Sequence, residues 1–182
     1  MTSSLTSRLT LSGALLAILA LPPAASAQYQ LPTLTSAARA DSLHEAAAAL
    51  VTAHRWGDAA RLHRRSAALR DPEDPLGFRC LKEAAELEYA TGDRGSARSD
   101  MTAAAGHALA RGDLRVAALA YLDAAWIAQE QNDPRKVWEL GRRAEMLADS
   151  PLLGAKDRAA ILTRIERAPG AVQLAIRGGM GQ

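Results

Sequence analysis

The chain has 182 residues, of which 48% are hydrophobic but only 4% aromatic, so its core must consist largely of small side chains. Lys and Arg number 22 and Asp and Glu 20, and this near balance argues against the concentrated basic surface typical of nucleic-acid-binding proteins. A single cysteine, Cys80, excludes an intramolecular disulfide and a cluster of metal-binding thiolates. Its helical spacing with Ala84 and Leu87 predicts a buried position.

Residues 1–27 have the features of a secretory signal peptide. Arg8 precedes an apolar run from Leu9 to Leu21, which is shorter than the roughly 20 residues that a membrane-spanning helix needs. Small residues follow at 25–27, where a signal peptidase cleaves. We therefore predict cleavage after Ala27 and an exported protein, periplasmic or secreted, without stable membrane insertion. The alternative is that the segment is retained as an anchor.

The rest of the chain has the periodicity of α-helices, and no segment shows the alternation of a strand. Residues 28–35 form an extended lead-in, residues 36–167 a helical domain, and the Gly-rich residues 168–182 a flexible tail. We predict an all-α fold of six to seven helices, the first from Thr35 or Ser36 to about Trp56 and the second from Gly57-Asp58 to about Arg70. The others are expected at about 76–91, after Gly92-Asp93, and at about 113–131, 134–149 and 155–167.

Four dipeptides are expected to mark helix boundaries. Gly or Asn accepts the left-handed conformation that ends a helix, and the following Asp accepts hydrogen bonds from the first free N–H groups of the next. The four are Gly57-Asp58, Gly92-Asp93, Gly112-Asp113 and Asn132-Asp133. The last three lie 20 residues apart, which indicates antiparallel helices of about 17 residues, roughly 25 Å long.

Two segments have the spacing of the second helix of a known repeat: Ala117-x3-Tyr121-x2-Ala124, with small, aromatic and small residues, and Ala97-x3-Met101-x2-Ala104, with Met in the aromatic place. A third, Val137-x2-Leu140-Gly141-x2-Ala144, is similar to the first helix of that repeat, with Val in the place of its Trp and Ala in the place of its Tyr. In these spacings residues 36–167 resemble tetratricopeptide repeats, as about three degenerate helix pairs with a cap. The resemblance implies a right-handed α-solenoid of antiparallel helix pairs with a groove for a protein or peptide. The alternative is an irregular helical bundle.

The four histidines are not separated along the sequence by the intervals typical of metal ligands. His44-Glu45 begins like the helix of a zinc protease, but the second histidine of that motif is absent. His54 and His63 fall on different predicted helices, and His107 stands alone. No phosphate-binding loop or nucleophile motif is present either. We therefore predict no catalytic, cofactor-binding or metal-binding residues, and we expect the basic residues between Arg61 and Arg70 to form a solvated outer face.

One aromatic residue stands apart from the apolar stripes. Trp138 lies beside the Val137/Leu140/Ala144 stripe, close to Arg135 and Arg142, and an exposed Trp among Arg residues is suited to anchor a partner. Tyr121 and Trp126 are expected in the core instead. Trp138, Arg142 and Arg135 are therefore the predicted partner-binding residues.

The predicted function is that of an exported, non-catalytic interaction module or scaffold for an unidentified protein or peptide, without nucleic acid. One alternative is an exported helical small-ligand carrier or enzyme with a pocket near His107 and Tyr121. Self-association is also open, because Ile161 and Leu162 on the last helix could pack against a second copy.

Overall fold

The computed structural model describes residues 35–168, and this part of the chain contains seven α-helices and no strand. The predicted signal peptide, most of the lead-in and the tail from residue 169 onward lie outside the described residues. The helices are α1 (Ser36–Thr52), α2 (Trp56–Ala68), α3 (Pro75–Thr91), α4 (Arg94–Ala110), α5 (Leu114–Glu130), α6 (Pro134–Ala148) and α7 (Ala155–Glu166).

Local side-chain chemistry determines most helix boundaries. The residue before each of five helices accepts a backbone N–H on its side-chain oxygen, and these residues are Thr35, Asp74, Asp93, Asp113 and Asp133. Left-handed backbone ends α3 at Gly92 (φ 91°), and it follows α4 at Gly112 (φ 75°) and α5 at Asn132 (φ 53°). Three of the four predicted boundary dipeptides are thus confirmed.

The boundary predicted at Gly57-Asp58 is wrong. Helix α1 ends at Thr52, and Gly57 is the second residue of α2. The left-handed residue is His54 (φ 57°), where the N–H of Arg55 bonds to the carbonyl of Leu50 at 2.9 Å and closes the end of α1. The carboxylate of Asp58 pairs with Arg55 and Arg61 instead of capping the helix.

The helices pack in chain order. From α1 to α6 each helix lies against the next, and α7 packs on both α5 and α6. Short connections, such as the three residues between α4 and α5, make successive helices antiparallel. This is the all-α fold of consecutive helix pairs that the sequence predicts.

Most of the core consists of alanine. Nine of the 17 residues of α5 are buried, and six of them are Ala. Tyr121, Leu140 and Ile161 supply the larger side chains of the main core cluster, while Cys80 belongs to a second one, so its predicted burial is confirmed. Of the two residues considered for self-association, Ile161 therefore packs in the core of its own chain, whereas its neighbour Leu162 is exposed.

The outer face predicted for α2 is wrong in part. His63 is buried, and the buried side chain of Arg70 donates to Asp41 at 2.7 Å and to Asp74 at 2.9 Å. Arg61 and Arg65 are exposed as expected. Helix α2 lies between α1 and α3, so side chains on two of its sides meet neighbours and only a narrow side reaches solvent.

Candidate functional site

The three partner-binding residues predicted from sequence lie on one face of α6. Arg135, Trp138 and Arg142 are three and four residues apart, a spacing that aligns side chains along a helix. Trp138 is 42% exposed, while Val137 and Leu140 face the core. The structure therefore places an exposed aromatic ring on the same side of α6 as two arginine residues.

The charge on α6 is mainly positive. The helix carries four basic side chains and two acidic ones. Arg142 donates to Glu145 at 2.5 Å, and Glu139 accepts from Lys136 at 2.6 Å and from Arg143 at 2.9 Å. The hydrogen bond from Lys136 is the main reason that the pKa of Glu139 lies below its usual value. Arg135 is exposed and forms no ion pair within residues 35–168.

Of the two aromatic residues expected in the core, only Tyr121 is buried. The guanidinium of Arg143 lies 5.6 Å from the centre of its ring. Trp126 is 45% exposed, so its predicted burial is wrong. Its indole Nε1 donates to Glu130 at 3.3 Å, one turn further along α5, and this bond keeps the ring on the solvent side of the helix.

A second candidate site joins three consecutive helices. His44 comes from α1, His63 from α2, and Cys80 and Glu83 from α3. A cavity of about 400 Å³ opens beside them, and His44, His63 and Glu83 line it together with apolar side chains such as Val51 and Leu87. Cys80 is fully buried behind the two imidazoles.

Antiparallel packing explains why these side chains meet. Residues at equal distances from a helix turn lie side by side, because both helices rise by about 1.5 Å per residue. His44 lies nine residues before Ala53, and His63 nine residues after His54. The same symmetry holds across the next turn, where His63 lies eight residues before Asp71 and Cys80 eight residues after Pro72.

The ligand atoms of His44, His63 and Cys80 all lie within 4.8 Å of one another. Cys80 Sγ is 3.5 Å from His44 Nδ1, and the centres of the two imidazole rings are 5.2 Å apart. Glu83 Oε2 lies 3.7 Å from His44 Nδ1 and 3.4 Å from His63 Nδ1. On its other side Glu83 accepts from Arg79 Nε at 2.8 Å, which fixes the position of the carboxylate.

Burial makes His63 the most unusual member of this group. The residue is 3% exposed, and its Nδ1 has no hydrogen-bond partner of good geometry in residues 35–168, although Glu83 is near. Burial lowers the pKa of His63, and the nearby Glu83 opposes that effect only in part. The neutral imidazole is therefore favoured, and a free lone pair on a neutral imidazole is a metal ligand.

A third polar cluster crosses the next set of helices. Arg64 of α2 lies 2.6 Å from Glu88 of α3 and 3.6 Å from Asp100 of α4. The two carboxyl groups are buried, and Glu88 Oε2 and Asp100 Oδ2 have no hydrogen-bond partner of good geometry in residues 35–168. Protonation of one of them removes the repulsion between two buried negative charges that share one guanidinium. Desolvation, followed by the charge of Asp100, raises the pKa of Glu88 to about 7.

The alternative pocket near His107 and Tyr121 was also predicted. The ring of His107 packs on Gly77 of α3, and its Nδ1 is buried without a hydrogen-bond partner. Tyr121 lies in the core under Arg143 instead. The two side chains thus have different surroundings.

Sequence reasoning missed the arrangement of His44, His63 and Cys80 because it considered ligand spacing within single helices. The symmetric distances from the two helix turns are the signal that could have found it. In comparisons with known proteins, no family model, curated protein or solved structure matches the chain. None of the helices between residues 35 and 168 has both the length and the apolar character needed to cross a membrane.

Proposed function

We propose that this protein is a non-catalytic helical scaffold that acts after export and binds a protein or peptide partner on the outer face of α6. The observation that carries the proposal is the exposed indole of Trp138 between Arg135 and Arg142. Exposed large aromatic rings flanked by Arg are typical of the residues that contribute most to binding at protein interfaces. Stacked helix pairs, as in the tetratricopeptide-like arrangement we propose for this chain, present such faces over an extended surface.

The charge of the face defines the partner that fits it. Arg135 forms no direct ion pair in residues 35–168, although its charge acts on nearby Glu139, whereas Arg142 pairs directly with Glu145. The excess of two positive charges on α6 favours an acidic segment. An apolar side chain within that segment would cover the indole of Trp138. We therefore propose an acidic peptide segment that contains a large apolar residue as the ligand.

Affinity capture from the exported fraction, followed by titration of the captured partner, tests this proposal. Trp138→Ala should weaken binding by at least about tenfold, and Arg135→Glu should weaken it while reducing its dependence on salt. Trp56→Ala is the matched control, because Trp56 on α2 is exposed to a similar degree. Equal affinity of the Trp138→Ala and Trp56→Ala proteins would exclude α6 as the binding face.

A further inference from the structure

The side chains around the cavity between α1 and α3 differ from those of an ordinary core. A fully buried thiol, a buried imidazole and a partly exposed imidazole converge from three helices, and a carboxylate lies at the cavity side. The buried Nδ1 of His63 lacks a hydrogen-bond partner, although an unsatisfied buried polar atom costs about 1–3 kcal/mol. Such an atom in a folded protein points to a ligand that would satisfy it.

We propose that His44, His63 and Cys80 bind a single transition-metal ion of the zinc class, with Glu83 facing the fourth coordination position. Thiolate and imidazole are the ligands that zinc and its divalent neighbours prefer, whereas magnesium and calcium prefer oxygen. This site is independent of the partner-binding face on α6, since the residues of the two sites lie on different helices.

The distances between the ligand atoms agree with this assignment. A tetrahedral zinc ion with bonds of about 2.0–2.3 Å separates its ligand atoms by about 3.3–3.6 Å. Cys80 Sγ and His44 Nδ1 are 3.5 Å apart, and Glu83 Oε2 lies 3.4 Å from His63 Nδ1 and 3.7 Å from His44 Nδ1. The separations among the three principal ligand atoms stay within 4.8 Å, so an ion has to draw them together by about 1.5 Å at most.

The cavity gives a metal ion a path to the proposed site, and two acidic side chains balance the charge of the ion. The cavity lets an ion reach the two imidazoles and Glu83 from solvent, and Cys80 lies behind them as the innermost ligand. Binding replaces the proton of the thiol by the metal, and that proton leaves to solvent. The thiolate and the carboxylate then neutralise a divalent cation. The thiol of Cys80 also contacts Ser66 Oγ at 3.5 Å, and Ser66 in turn donates to the carbonyl of Ala40 at 2.7 Å.

Cobalt provides a direct test, because a bond between Co²⁺ and a thiolate produces a charge-transfer absorption band in the near ultraviolet. The purified protein is reduced with a phosphine, stripped with EDTA, exchanged into buffer and titrated with Co²⁺. We expect the band to saturate at one ion per chain, to disappear when Zn²⁺ is added and to persist in excess Ca²⁺. Saturating Zn²⁺ should also raise the Tm by at least about 5 °C.

Three variants distinguish the proposed ligands from adventitious binding. Cys80→Ser, which hardly changes the volume of the side chain, should abolish the band. His44→Ala, at a partly exposed position, should weaken Co²⁺ binding by at least about tenfold. His54→Ala, which changes an exposed histidine outside the cluster, should leave binding unchanged. Far-UV circular dichroism verifies that each variant is folded.

The proposal is overturned if the folded wild-type protein shows no band with stoichiometric Co²⁺. It is also overturned if the band survives in Cys80→Ser, or if His44→Ala and His54→Ala bind Co²⁺ with equal affinity. Loss of partner binding in Trp138→Ala has no bearing on these results, so the two proposals fail separately.

Discussion

The carboxyl pair of Glu88 and Asp100 should make the stability of the protein depend on pH. The guanidinium of Arg64 contacts both, at 2.6 Å from Glu88 and 3.6 Å from Asp100. The charge of Asp93, the residue that caps α4, further disfavours an ionised Glu88. The perturbation that isolates this effect is Glu88→Gln. A glutamine amide is neutral, as a protonated carboxyl group is, and its oxygen can still accept a hydrogen bond from Arg64.

The sign of the effect follows from the direction of the pKa shift. The pKa of Glu88 rises from 4.5 to about 7 on folding, so the folded state binds more protons than the unfolded state between these values. The stabilisation by protonated Glu88 is therefore complete below about pH 4.5 and is lost as the pH rises through 7. One pKa unit corresponds to about 1.4 kcal/mol, so a shift from 4.5 to about 7 sets an upper limit of roughly 3.5 kcal/mol. Because the partly exposed Arg64 lets solvent relax around the ionised pair, we expect about 1–2 kcal/mol.

Urea unfolding of the wild-type and Glu88→Gln proteins between pH 5 and 8 measures this effect. The variant should gain about 1–2 kcal/mol in free energy of unfolding relative to wild type as the pH rises from 5 to 8. The neutral, buried His63 contributes equally to both proteins, so its own pH dependence cancels in the difference. Glu86→Gln is the control, because Glu86 is an exposed partner of Lys82 and should give a flat difference. A flat difference for Glu88→Gln as well would refute the raised pKa of Glu88.

Backbone geometry gives two further predictions, each measurable by chemical denaturation. Gly77→Ala should destabilise the protein by about 1–3 kcal/mol, because a Cβ there would lie 2.5 Å from Nδ1 of His107. Gly106→Ala should instead stabilise it by about 0.5–1 kcal/mol, because a Cβ at this position would have no neighbouring side chain within 4 Å. Restoration of stability by His107→Ala in the Gly77→Ala background would confirm the contact, and equal effects at the two glycines would contradict it. His54→Gly should stabilise the protein by about 1 kcal/mol, since glycine adopts a φ of 57° without strain. A loss of stability would show that the contacts of the imidazole contribute more than the backbone strain at residue 54 costs.

The sequence predicted the helices well because their boundaries depend on local chemistry. Asp93 and Asp113 cap helices whatever lies around them, and Gly92 and Gly112 end them for reasons of backbone conformation alone. The turn between α1 and α2 was misplaced because a histidine takes the left-handed position there. Residue type does not mark that choice, and Gly57, three positions later, gave a competing signal.

The sites were harder to predict because they depend on how helix faces meet. The exposure of Trp138 followed from its place beside the apolar stripe, but Trp126 occupies an apolar stripe and is exposed nevertheless. Helical periodicity shows that a residue lies on an apolar side, yet it does not show whether a neighbouring helix covers the whole side. The same limit applies to His63, which lies in a basic stretch and is buried by α1 and α3.

The alanine content links the composition to these polar clusters. Alanines at the interfaces, such as Ala60 and Ala84, let the backbones of adjacent helices approach closely, so a longer side chain can reach across one helix to the next. The cluster of His44, His63 and Cys80 spans α1 to α3, and the cluster of Arg64, Glu88 and Asp100 spans α2 to α4. His63 contacts groups on both of the other helices in the first cluster, and Arg64 does so in the second. A chain with large apolar residues at these interfaces would hold its helices further apart and would separate the same polar groups. The small-residue core is therefore the physical condition for both the proposed metal site and the buried pair of carboxyl groups, which is why neither could be recognised from its own residues alone.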